Sequence, residues 1–216
     1  MLLMTLFGSA CSRPQADDKT VPDPDVDLHA PAAEAKTSAA IFAGGCFWCT
    51  EAVFEQLEGV SDVVAGYAGG SADSANYQAV SSGSSEHAEV IRITFDSSKI
   101  TYGQLLKVFF TVAHDPTQLN RQGPDRGRQY RSAIFYASDE EKQVAQAYIR
   151  RLNQAKVYNT PIVTTLELLE AFYPAEGYHQ DYVRDHPAEP YVVYNAGPKV
   201  KKLRKTYPDK VKKDGG

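Results

Sequence analysis

The segment AAIFAGGCFWCTEAVFEQLEGV, residues 39–60, constrains the fold more than any other part of the chain. It opens with a short continuous apolar run closed by Gly44 and Gly45, which reads as a buried strand entering a tight turn. Beyond the turn, Phe47, Val53, Phe54, Leu57 and Val60 recur at helical spacing, and Gly59 fits a helix stop. Cys46 therefore stands at the start of a helix, directly after a strand.

The four positions 46–49 hold two of the three cysteines and the only tryptophan. A thiol at a helix start meets backbone N–H groups without intrahelical partners and the positive end of the dipole. Both favour the thiolate, which is the nucleophilic form. A free cysteine is more often an inert, buried small hydrophobe. Here the glycine pair, the helix start and the aromatic neighbours point to a reactive one. Phe47 and Trp48 offer rings that accept methyl and thioether groups. Phe47 also belongs to the apolar stripe of the helix, whereas Trp48 points away from it. Cys49 follows one turn later, which places the two Cα atoms roughly 5 Å apart, within reach of a disulfide. Two cysteines at this spacing form redox couples in other folds. A zinc site is disfavoured, because no second Cys or His pair accompanies them.

The remaining pattern is regular. VSDVVAGYAGG, HAEVIRITFD, YRSAIFYAS and VTTLELLE read as strands, and TYGQLLKVFFTVA and DEEKQVAQAYIRRLNQ as helices. GYHQDYVRDHP reads as a short helix stopped near Pro187. The order strand, helix, strand, strand, helix, strand, helix, strand predicts an α+β fold. Its form is a two-layer sandwich on a ferredoxin-like (split βαβ) core with extra loops and helices.

In HAEVIRITFD one face carries His87, Glu89, Ile91, Ile93 and Phe95. An acid in that row is either a buried carboxyl, kept protonated and able to donate, or the sign of a strand end that has left the core. The polar stretch AHDPTQLNRQGPDRGRQYRS, residues 113–132, is long for a loop, and long ordered loops tend to be functional. Asp125 and Tyr130 are its candidate substrate groups, and Tyr77 is offered by SADSANYQAV. Arg121, Arg126, Arg128 and Arg131 are expected to fix the loop through carboxylates and backbone carbonyls.

At 216 residues with a net charge of −4, the totals favour one domain and argue against nucleic acid as a partner. Residues 1–11, MLLMTLFGSAC, resemble the end of a bacterial lipoprotein signal with Cys11 as the acylated residue. The other reading is a short N-terminus with an incidental cysteine. Residues 12–38, rich in Pro, Asp and Ala, are expected to form a disordered tether. The first reading places the chain in the bacterial cell envelope or periplasm, and the second in the cytoplasm. The folded domain is expected over residues 39–205 and a basic tail over 206–216; residues 199–213 hold eight Lys and Arg and read as a solvated end.

Taken together, the motifs resemble the A-type peptide methionine sulfoxide reductase family. GGCFWCTE is similar to that family's G-C-F-W signature, and GYAGG, SSEHAEVIRITFD, HDPT, RQGPDRGRQYRSAIFY and FYPAEGYHQDY follow in the family's order. The resemblance implies an enzyme that reduces the S epimer of methionine sulfoxide, free and in proteins. It makes Cys46 the nucleophile, which becomes a sulfenic acid, and Glu89 the proton donor. Phe47 and Trp48 would cradle the methyl group, Tyr77 and Tyr130 would hydrogen-bond the sulfoxide oxygen, and Asp125 would support the site. No bound cofactor is implied. Electrons would come from a thioredoxin-like dithiol protein, and a monomer is expected. The chain departs from relatives that carry a resolving cysteine near the C-terminus: Pro190 and Tyr191 are followed by Val192. Cys49 is then the expected resolving thiol. The alternatives are a thiol–disulfide oxidoreductase using Cys46 and Cys49, and a non-catalytic module that grips methionine side chains.

Overall fold

Strand β1 (Thr37–Gly44) runs through the middle of a six-stranded sheet, which is why it reads as a continuous apolar run rather than an alternating one. A computed structural model describes residues 21–28 and 37–213. Helix α1 (Phe47–Phe54) leads to β2 (Val60–Ala68). A short helix α2 (Tyr77–Ser81) precedes β3 (Ala88–Asp96), and α3 (Tyr102–Val108) runs on into a π turn over Phe109–Ala113. A two-residue hairpin, β4 (Arg121–Gln122) with β5 (Asp125–Arg126), precedes β6 (Ser132–Tyr136), and α4 (Asp139–Gln154) follows. Strands β7 (Thr165–Leu168) and β8 (Phe172–Pro174) close the sheet, and α5 (Tyr182–Asp185) and α6 (Gly197–Thr206) complete the chain.

The sheet order is β7-β6-β1-β3-β2-β8. Its central part, β6-β1-β3-β2, is fully antiparallel and alternates with α1 and α3, which is the split βαβ arrangement expected from the sequence. β7 adds parallel to β6, and β8 antiparallel to β2. The side facing the helices buries Phe42, Phe54, Tyr67, Ile91, Ile93 and Phe109 in the main core. The other side buries a smaller cluster of Ile41, Ala43, Ala68, Ala88, Val90 and Phe135. Glu89 lies on the helix side, in line with Ile91, Ile93 and Phe95, so the acid stands in the buried row.

Four local expectations change. The end of the predicted helix over 101–113 widens into the π turn. GYHQDYVRDHP is not one helix: a 3-10 turn over Gly177–His179 is separated from α5 by Asp181 in the left-handed region (φ 55). Within the expected tether, residues 21–28 pack against α3 and α4. Val21 is buried, and Asp23 pairs with Lys107 and Asp25 with Arg151. Asp27 accepts hydrogen bonds from the Gly103 N–H (2.7 Å) and the Thr101 hydroxyl. The segment has little apolar surface, but each alternate aspartate meets a donor. Finally, residues 199–213 are no solvated tail. Leu203 and Tyr207 are buried, the Tyr207 hydroxyl lies 3.0 Å from that of Thr111, and Val211 bridges to Leu57. Two apolar side chains among many lysines are enough to dock this end against α1. Cys11 lies outside the described residues.

Candidate active site

The sharp exit from β1 depends on Gly45, whose φ of +90° suits glycine, and whose missing Cβ leaves room for Gln122. A Cβ there would stand 2.4 Å from that of Gln122. The Gln122 amide donates to the Asp115 carbonyl (3.1 Å) and accepts from the Asp115 N–H (3.2 Å), so the long loop is folded back over the turn. Buried His114 anchors the start of that loop. Its Nδ1 bonds the Phe109 carbonyl (2.9 Å) and its Nε2 the Ser132 hydroxyl (2.6 Å), and burial lowers its pKa to about 3. Arg131 grips Glu167 with two hydrogen bonds (3.0 and 2.9 Å), Arg128 pairs with Glu86, and Arg121 donates to the Gly123 carbonyl, the fixing roles expected of these loop arginines, whereas the Arg126 side chain is exposed.

Cys46 is the N-cap of α1, as the spacing predicts. It is 7% exposed, and Cys49 2%. The two thiols interact electrostatically, and both are unbridged. The expectation of a Cys46 thiolate fails in this resting state. Burial, the hydrogen bond with Cys49 and the charge of Glu89 all push Cys46 up, so it stays protonated. Burial therefore outweighs the field of an eight-residue helix. Cys49 moves the other way, down to about 7, because Cys46 hydrogen-bonds to it and Lys199 and Tyr191 add to that pull against burial. The pair loses its first proton readily and its second with difficulty.

Glu89 stands beside this pair. Its Oε2 accepts the Phe47 N–H at 3.0 Å, and burial raises its pKa to about 8, so the carboxyl is neutral at pH 7. Tyr77 and Tyr130 converge on the same place: burial, then the charges of Glu89 and Cys46, raise both phenols. Phe47 is buried, tilted against Tyr67 and His179. Trp48 is half-buried, and its indole stacks on Tyr182 (3.8 Å between centroids, 8° between planes). Asp125 is reached through Tyr191, whose hydroxyl donates to Oδ2 at 2.6 Å. The structure thus brings together all eight site residues predicted within the domain.

Sequence reasoning missed the shell behind them. The Trp48 indole N–H donates to His179 Nδ1 (3.2 Å), and Tyr191 meets the indole edge-on. Glu176 accepts from the Tyr67 hydroxyl (2.8 Å) and the Tyr77 N–H (2.9 Å), tying three strips of chain together. The signal was present in FYPAEGYHQDY, a run dense in rings and hydrogen-bonding groups. Lys199 was hidden in a basic run, where only the fold distinguishes it. It lines a small cavity of ≈ 50 Å³ with Cys46, Cys49, Asp125, Tyr191 and Asn195. A larger cavity of ≈ 780 Å³, walled by Glu55, Asp62, Asp181 and Arg184, contains none of these residues. Among the described residues no group of three or more His, Cys, Asp or Glu is arranged to hold a metal ion.

A buried thiol next to a second thiol, with a neutral carboxyl and an aromatic cradle at hand, defines a thiol-dependent reductase for a small substrate that must be protonated as it reacts. The family model for peptide methionine sulfoxide reductase matches residues 38–211. The chain is 53% identical to peptide methionine sulfoxide reductase MsrA 2 of Synechocystis sp. over 195 residues, covering 90% of this chain and 91% of the relative. It is 49% identical to MsrA of Natronomonas pharaonis, covering 81% and 98%. Among solved structures it is similar to reduced Mxr1 from Saccharomyces cerevisiae (32% identity, TM-score 0.63, covering 76% and 92%). It is also similar to methionine sulfoxide reductase A of Corynebacterium diphtheriae (28%, TM-score 0.59, covering 81% and 92%). The chain belongs to the peptide methionine sulfoxide reductase family, and it reduces methionine sulfoxide to methionine.

Proposed function

We propose that Cys46 attacks the sulfoxide sulfur while Glu89 gives its proton to the sulfoxide oxygen. The Cys46 thiol proton then passes to Glu89. The hydroxyl then shifts from the substrate sulfur to Cys46: the transient S–S bond and the substrate's S–O bond break, an S–O bond to Cys46 forms, methionine leaves, and Cys46 is left as a sulfenic acid. Phe47 and Trp48 hold the methyl group, Tyr77 and Tyr130 hydrogen-bond the oxygen, and Asp125 steadies the wall through Tyr191. The observation that carries this reading is Glu89: a carboxyl 2% exposed, neutral at pH 7, and bonded to the backbone N–H of the residue that follows the nucleophile. The A-type resemblance makes the substrate the S epimer, since one enzyme class serves each epimer.

Cys49 then attacks the sulfenic acid, giving a Cys46–Cys49 disulfide and water. In support, the two free thiols line the same small cavity, and no other cysteine lies among the described residues. A thioredoxin-like dithiol protein would reduce the disulfide. The lipoprotein-like run ending at Cys11 supports export to the cell envelope, where an envelope dithiol protein would supply the electrons. Turnover of the two separated epimers of a blocked methionine sulfoxide tests the assignment. The S epimer alone should be reduced, and Cys46→Ser should reduce neither. Disulfide exchange on its own gives Glu89 no task; insulin reduction by Glu89→Gln at the wild-type rate, with sulfoxide turnover intact, would favour that rival.

A further inference from the structure

Lys199 has no catalytic task in the scheme above, yet the fold aims it at the reaction. The π turn over Val192–Ala196 carries the chain from Tyr191 into α6 and places Lys199 on the wall of the cavity that holds both cysteines. Lys199 is half-buried and makes no hydrogen bond or ion pair among the described residues. Its neighbours in the basic run behave differently: Lys202 donates to the Thr111 carbonyl and Arg204 to the Gln56 side chain.

Cys49 lines the same cavity, its thiol 4.0 Å from the Tyr191 hydroxyl, which is itself committed to Asp125. We propose that Lys199 is the positioning residue for the second half of the cycle: its ammonium, on the wall of the cavity that Cys49 also lines, holds that sulfur as the thiolate that resolves the Cys46 sulfenic acid. This rests on the assignment of Cys49 as the resolving thiol. The step balances without another reagent. Cys49 gives its proton to solvent, its lone pair forms the S–S bond, the S–O bond of Cys46 breaks, and the departing hydroxide takes a proton from solvent to become water. The charged or titratable groups around Cys49 are Cys46 on α1, Glu89 on β3, Asp125 on β5, Tyr191 before the π turn and Lys199 on α6. Of these, Lys199 alone is a cation. Asp125 opposes a negative charge on Cys49, so removing Lys199 leaves its repulsion unanswered.

The test times the two steps separately in the full chain. One equivalent of blocked methionine sulfoxide is added without reductant, and methionine release, dimedone-trappable sulfenic acid and the Cys46–Cys49 disulfide are followed from pH 5.5 to 9. In Lys199→Met the conversion of sulfenic acid to disulfide should slow about fivefold at pH 7, the fall in thiolate fraction when a thiol titrating near 7 moves up by about one pKa unit. Its pH profile should move upward, and Lys199→Arg should restore both. A Lys199→Met protein that closes the disulfide at the wild-type rate, with the wild-type profile, overturns the role of Lys199 and leaves Cys49 as resolver. Absence of the Cys46–Cys49 disulfide in the wild type overturns both.

Discussion

Glu89 is costly to fold and is needed where it stands. Its carboxyl titrates near 8 in the fold and near 4.5 in an unfolded chain, so above pH 4.5 the folded state holds a proton that the unfolded state has released. Folding is then disfavoured increasingly with pH until about 8, where the folded carboxyl also ionises. Glu89→Gln removes this penalty, which at pH 7 is on the order of 3 kcal/mol. The variant should melt at a higher temperature than the wild type at pH 7, with a difference that shrinks toward pH 4.5. Its turnover of methionine sulfoxide should fall by about 10² to 10⁴, the usual worth of a positioned proton donor. Calorimetry beside a turnover assay checks both signs; a variant that is slower and also less stable would contradict this account of Glu89. The place of the acid in an apolar row left two readings open, burial or a strand end outside the core, and the fold decides for burial. The protonated resting state of Cys46 was not, because the helix start is visible in the sequence and the depth of burial is not.

At the scale of elements, two segments of low apolar content turn out to be structural. The aspartates of residues 21–28 clip α3 to α4, with Asp27 on the first turn of α3 beside the capping box of Thr101 and Gln104. Asp27→Ala should cost about 1–3 kcal/mol, the range for removing a half-buried charged hydrogen-bond partner, read as a lower midpoint in urea. At the other end, Leu203→Ala should cost about 2–5 kcal/mol as a core truncation. Because α6 carries Lys199, that variant should also show slower disulfide closure. Neither segment was legible as ordered. Hydrophobic periodicity marks elements that bury a face, whereas residues 21–28 are held by charge and α6 by Leu203 and Tyr207. The ferredoxin-like core was legible because β1, β2, β3 and β6 each carry a dense apolar row and the turns between them carry glycine. The broken helix at Asp181 was not, since nothing in GYHQDYVRDHP marks the left-handed residue.

For the whole molecule, pH should act through several buried acids at once. Burial raises Glu51 to about 8 and Glu55 to about 7, alongside Glu89, and each makes the fold bind a proton that the unfolded chain would release. Below about 6.5 the buried His114 and His179 oppose this trend, because the unfolded imidazoles take up protons and the folded ones do not. Above 7 the lowered Cys49 opposes it by one group. Between pH 6.5 and 8 the carboxyls outnumber it, and the melting temperature should fall as pH rises through that window, measured in one buffer series. A melting temperature that climbs from 6.5 to 8 would show that these carboxyls are ionised in the fold. The lone tryptophan of the chain is Trp48, stacked on Tyr182 and bonded to His179 two positions from Cys46. The protein's indole fluorescence is therefore a signal from that one spot. Excited at the red edge of indole absorption, unlabelled enzyme should report docking of the sulfoxide and closing of the neighbouring disulfide in real time.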